Sequence, residues 1–168
     1  LTLGMDLADI AAALGEVEAA SRWRMEVTER PDGTVVINDA YNANPESVRA
    51  ALKALVSMAG GRRSWAVLGE MRELGEQAAA EHDGIGRLAV RLNVDRLVAV
   101  GEGARAIHLG VAHEGSWGNE SVWVPDIDAV LVLLRDELAP GDVVLVKGSR
   151  LVGLEAVAAA LTDEETSA

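Results

Sequence analysis

Ten residues, Asn38 to Ser47, read NDAYNANPES and bring two carboxylates, three amide side chains, a tyrosine and a proline together just after the apolar run TVVI. A chain that only has to turn does so with a glycine and an asparagine. Asn44 and Pro45 have a local explanation: Asn44 caps a helix by accepting from a free backbone N–H, and Pro45 suits the first helical position, where no N–H is needed. Asp39, Tyr41 and Asn42 have no such explanation. A carboxylate just past a strand accepts from ribose hydroxyls, and a tyrosine ring packs on a flat base, so this cluster reads as a nucleotide-facing loop.

A second group, KGSR, ends the last apolar run. Lys147 and Arg150 are cations, Ser149 is a donor or helix cap, and Gly148 lets the backbone come close. Such a set suits a carboxylate or a phosphate, and an ordinary turn with solvated cations explains the same residues. GEGARA, Gly101 to Ala106, matches the dinucleotide pattern G-x-G-x-x-A. It follows a middle strand rather than the first one, and Glu120, the acid near the expected spacing, precedes a strand instead of ending one. His82, His108 and His113 lack metal-ligand spacing to one another or to paired acids and read as surface or packing residues. No G-x-x-x-x-G-K-[ST] occurs, so the chain has no P-loop of its own.

The elements that must carry these loops alternate. RMEVTER and TVVINDA form two strands around the turn PDG. PESVRAALKALVSMA is a helix with Val48, Leu52, Leu55 and Val56 on one face. The strand SWAVLGE follows, then a helix from about Glu76 to Leu92, the strand RLVAVG and the short helix ARAIHLGVAH. The strand SVWVP, a helix capped by Asp126, the strand DVVLVKG and the helix LVGLEAVAAAL complete the pattern. Several strands are unbroken apolar runs, as in a parallel sheet covered on both faces. The expectation is a doubly wound, mostly parallel, Rossmann-like α/β domain over residues 23–162. Residues 1–22 read as the helical tail of a preceding domain, and residues 163–168 as a polar tail.

At 168 residues and 49% apolar composition the chain suffices for one domain with a real core. A net charge of −12 argues against non-specific binding to nucleic acid or an anionic membrane, though not against a phosphate held by local donors. Without cysteine there is no disulfide, thiolate metal site or thiol nucleophile, which suits a cytoplasmic protein. No stretch reaches transmembrane length, so no membrane insertion is expected.

Read in order, RMEV, TVVINDAYNANPES, AVLGEMRELGE, RLVAVGE and VLVKGSRLVGLE resemble the C-terminal domain of the Mur ligases, from Arg24 to Leu161. DAYNANP is the most specific piece and GEMRELG the next. Within the family, the loop resembles that of the branch that adds D-Ala-D-Ala to UDP-MurNAc-tripeptide. The resemblance implies a cytoplasmic, ATP-dependent peptide ligase of peptidoglycan synthesis with three domains. An N-terminal domain would hold the UDP-sugar, and a central domain the P-loop and Mg2+. This chain would close over ATP and the dipeptide, and would be inactive alone, with no catalytic residue or metal site of its own.

Carried over by position, Arg24 looks like the arginine that reaches the ATP phosphates. Asp39, Tyr41, Asn42 and Asn44 match the loop bordering the nucleotide. Lys147, Ser149 and Arg150 match the loop near the incoming dipeptide. Two positions depart from the family pattern: Glu70 stands where Asp is usual in LGDM, and Leu154 where Met is common. The rival readings are a sister ligase, such as another amino-acid-adding Mur enzyme or a folylpolyglutamate synthase, and a free-standing nucleotide- or dinucleotide-binding module.

Overall fold

The computed structural model describes residues 23–115 and 120–163; the expected helical tail over 1–22 and the segment 164–168 lie outside them. The strands are β1 (Glu26–Glu29), β2 (Val35–Asn38), β3 (Ser64–Leu68), β4 (Arg96–Val100), β5 (Ser121–Val124) and β6 (Val143–Lys147). The helices are α1 (Pro45–Ala59), α2 (Ala78–Arg91), α3 (Arg105–Glu114), α4 (Ile127–Glu137) and α5 (Glu155–Asp163). The six strands lie in the order β1-β2-β6-β3-β4-β5, all parallel except the β1–β2 hairpin. The expected doubly wound, mostly parallel α/β fold is what the chain adopts.

Side-chain alternation along the strands divides the core into two layers. Val35, Ile37, Ala66, Leu68, Leu97, Ala99, Val143 and Leu145 pack under α1, α2 and α3. Val36, Trp65, Val67, Val98, Val100, Val144 and Val146 pack under α4 and α5. Helix α1 shows how local sequence sets an element. Asn44 Oδ1 accepts from the Ser47 N–H at 2.8 Å, and Ser47 Oγ accepts in return from the Asn44 N–H at 3.1 Å, closing a capping box. Val48, Ala51, Leu52, Leu55 and Ala59 form its buried face, and Gly60, at φ 57°, ends it in the left-handed region that glycine favours.

Two features were not apparent in the sequence. Trp65, fully buried at the centre of the sheet, donates from Nε1 to Asp142 Oδ2 at 2.8 Å, with the Arg63 and Arg96 guanidiniums over its ring. Helices α2 and α3 cross so closely that a Cβ on Gly86 would stand 2.0 Å from the Ile107 carbonyl oxygen, and one on Gly110 2.2 Å from that of Asp83. Three boundaries also shift. The second helix begins with a 3-10 turn, Gly75–Gln77, before α2. The last helix does not start at Leu151: Arg150–Val152 form a separate 3-10 turn, Gly153 breaks it at φ 76°, and α5 follows from Glu155. It then runs through Asp163, one residue into the expected polar tail.

Neighbouring strands β2 and β6 send their following helices to opposite faces, α1 to one and α5 to the other. That reversal marks a switch point at the carboxyl ends of the strands, where open α/β sheets usually form their ligand crevice. The two loops that flank it are those after Asn38 and after Lys147.

Candidate functional site

Parallel pairing of β2 with β6 brings NDAYNANP and KGSR side by side, in a register that places Asn38 opposite Val146. The Asp39 N–H continues the ladder by donating to the Val146 carbonyl at 2.9 Å. Lys147, the last residue of β6, is only 3% exposed and turns its ammonium into the neighbouring loop. It lies 2.6 Å from Asp39 Oδ2 and 2.9 Å from the Asn42 carbonyl. Breaking a buried pair by removing one partner costs about 3–5 kcal/mol, because the other charge is stranded. The loops are therefore joined at their base by an interaction that neither loses cheaply.

Above that base the side chains form a stack. The Arg24 guanidinium lies 4.4 Å from the centre of the Tyr41 ring, and that of Arg150 lies 5.4 Å from Tyr41 and 5.0 Å from Trp23. Two cations are thus held over aromatic rings at the mouth of the crevice, each contact worth about 0.5–1 kcal/mol where exposed. The segment entering β1 is tied to the same loop: the Met25 N–H donates to Asp39 Oδ1 at 3.1 Å, and the Tyr41 N–H to the Trp23 carbonyl at 3.1 Å. Trp23 and Met25 have φ of 66° and 47°, a left-handed conformation costly for such side chains, which these bonds hold in place.

A third loop, after β3, completes the floor. Gly69 and Gly148 meet so closely that a Cβ on Gly148 would lie 3.3 Å from Gly69 Cα. Ser149 is buried; its N–H donates to the Glu70 carbonyl at 3.0 Å and its Oγ accepts from the Arg72 N–H at 3.0 Å. His82, 1% exposed, anchors this loop from α2, accepting at Nε2 from the Met71 N–H at 2.8 Å while Nδ1 meets the Ala78 carbonyl at 2.6 Å. His82, which the sequence left as a surface or packing residue, is thus a buried hydrogen-bonding anchor.

Arg24, Asp39, Tyr41, Asn42, Lys147 and Arg150 therefore gather at one place. Asn44 stands apart, its side chain committed to the α1 cap. Lys147 and Ser149 spend their polar groups on neighbouring loops rather than offering them to the crevice. The Tyr41 ring carries guanidiniums where a base was expected to pack. Trp23, beneath Arg150, was missed by sequence reasoning; the signal for it was an aromatic one residue before Arg24, in the strand's approach. In GEGARA a Cβ on Gly103 would stand 2.5 Å from the Glu70 side chain, and the Gly101 carbonyl accepts from Trp123 Nε1 at 2.8 Å.

Residues 23–150 match the Mur ligase, glutamate ligase domain. A Mycobacterium tuberculosis protein named UDP-N-acetylmuramoyl-tripeptide–D-alanyl-D-alanine ligase is 55% identical across a 183-residue alignment covering 99% of this chain and 36% of that protein. The crystal structure of MurF from Acinetobacter baumannii superposes with a TM-score of 0.76 at 28% identity, over 96% of this chain and 34% of its own. That of a MurF ligase from Thermotoga maritima in complex with ADP gives 0.66 at 26% identity, over 88% of this chain and 34% of its own. The chain thus spans about a third of the length of the relatives it matches. With the fold, the strand-end loops and the match over residues 23–150 in agreement, the chain belongs to the Mur ligase, glutamate ligase domain family.

Proposed function

We propose that this chain is the C-terminal domain of an ATP-dependent ligase that joins D-alanyl-D-alanine to UDP-MurNAc-tripeptide in the cytoplasm, a step of peptidoglycan synthesis. The observation that carries this reading is the pairing of NDAYNANP with KGSR at the switch-point crevice, in a chain alike over nearly its whole length to proteins of that name. In the reaction, the γ-phosphoryl group of ATP passes to the tripeptide carboxylate, giving an acyl phosphate and ADP. The dipeptide amine attacks that carbonyl, the amide forms, and phosphate leaves.

This chain's part is binding and orientation. Asp39 accepts from the ribose hydroxyls. A carboxylate offers about four lone-pair sites, and the Met25 N–H and Lys147 ammonium use two of them, leaving two. Arg24, steadied on Tyr41, reaches the phosphates. Arg150, steadied on Trp23 and Tyr41, takes the dipeptide carboxylate and so points the amine at the acyl phosphate. On this reading Mg2+ is held by the central domain together with the nucleotide phosphates. No helix among the described residues is long and apolar enough to cross a membrane.

The test uses the full-length enzyme containing this chain. ADP release should require both UDP-MurNAc-tripeptide and D-Ala-D-Ala. Release driven equally well by a single amino acid or by a folate would assign the chain to a sister ligase.

A further inference from the structure

We propose that Lys147 is a positioning residue for the nucleotide-side loop, and not a ligand for the dipeptide carboxylate; the inference rests on the ligase reading above. The geometry is specific. An ammonium has three donors and no acceptor. Two of the three on Lys147 are directed at the loop after β2, one to Asp39 Oδ2 at 2.6 Å and one to the Asn42 carbonyl at 2.9 Å. With 3% of the side chain accessible, a substrate carboxylate has no open approach to the charge. Arg150, three residues on, is the exposed cation of the same loop. The two cations of KGSR therefore divide the work: one faces inward and one outward.

Lys147 acts through Asp39. The carboxylate is held at one oxygen by Lys147 and at the other by the Met25 N–H, so both its plane and its position are fixed before a nucleotide arrives. Its side chain keeps 13% of its surface accessible, enough for hydroxyl donors to reach an oxygen already oriented. Without the ammonium the carboxylate loses one of these two fixed points, and the Asn42 carbonyl loses its donor. The loop then presents the same residues in an unset geometry. Recognition of the ribose hydroxyls should suffer, and recognition of the dipeptide should not.

The experiment compares ATP with 2′,3′-dideoxy-ATP in the full-length enzyme, reading the ratio of kcat/KM and the KM for each substrate. The parent should favour ATP by roughly ten- to a hundredfold, the usual value of hydrogen bonds to a charged group. Lys147→Met keeps the bulk of the stem and removes the charge. It should bring the ratio towards one and raise the ATP KM, with the dipeptide KM unchanged. The double variant Asp39→Asn/Lys147→Met removes both charges and strands neither. It should match Asp39→Asn alone, because two residues acting through one contact do not add. This comparison stands even if Lys147→Met fails to fold. A raised dipeptide KM with an unchanged ATP ratio, or losses that add in the double variant, would overturn the assignment and leave the ligase reading intact. Absence of dipeptide-dependent ADP release in the parent would overturn the ligase reading instead. Calorimetric affinities for ATP and the dideoxy analogue in the same variants would then decide on Lys147 separately.

Discussion

Arg150 and Asn44 come from neighbouring loops and are expected to fail differently when truncated. Arg150 is exposed, with its guanidinium over the Trp23 and Tyr41 rings, so Arg150→Ala should fold normally. In steady-state kinetics of the full-length enzyme it should raise the dipeptide KM roughly ten- to a hundredfold and lower kcat, with a smaller effect on ATP. An unchanged dipeptide KM would remove Arg150 from the acceptor site. Asn44→Ala should leave every KM near its parent value and cost about 1 kcal/mol in urea unfolding, because its side chain serves the α1 capping box. The sequence shows such residue types clearly but not their direction. Lys147 closes the run VVLVK, and a lysine ending a buried strand has to find a carboxylate. Which one depends on which strand lies alongside, and the insertion of β6 between β2 and β3 is not written in any local pattern. The partners of Ser149, Glu70 and Arg72, are hidden for the same reason: they come from the loop after β3.

Among the elements, α2 and α3 are the most tightly coupled pair, and their crossing rests on two glycines. Gly110→Ala would place a methyl group 2.2 Å from the Asp83 carbonyl oxygen, where rigid backbone has to give way. We expect a loss of about 1–3 kcal/mol, towards the upper end, measured by urea denaturation. Charges fasten the same pair of helices. Arg87 lies 2.6 Å from Asp83 and 3.2 Å from Glu114, and Arg91 lies 2.7 Å from Glu114. Hydrogen bonding to Arg87 holds the Asp83 carboxyl below its ordinary 3.8, and hydrogen bonding to Arg91 holds that of Glu114 below 4.5. Carboxyls lowered by folding stabilise the native state above their unfolded values and lose that contribution as pH falls through the folded ones. Stability measured between pH 7 and pH 2.5 should therefore decline from about pH 4.5 downward, and less in Glu114→Gln than in the parent. The helices themselves were legible, because their apolar faces recur at helical spacing. The crossing was not, because Gly86 and Gly110 look like weak points until the partner helix is in place.

At the scale of the whole molecule, strand type and order of appearance followed from the unbroken apolar runs, while the order across the sheet did not. The outermost strand, β1, carries a consequence for how copies of this chain meet. Among the described residues it forms one edge of the sheet, with Val27 49% exposed between Glu26 and Glu29. Unpaired backbone on such an edge can template a second strand. Two β1 edges that meet antiparallel about a two-fold axis must pair residues pointing to the same face, so the strand can centre only on one of its own residues. Centring on Glu26 or Glu29 sets like carboxylates opposite one another, and like charges placed so repel. Centring on Val27 or Thr28 does not, so charge leaves the edge open there. Val27→Glu would set carboxylates opposite one another in the first of these registers and beside Glu29 in the second, and any concentration-dependent dimer that sedimentation detects in the parent should then be lost, whereas a dimer that survived would mean that the copies meet elsewhere.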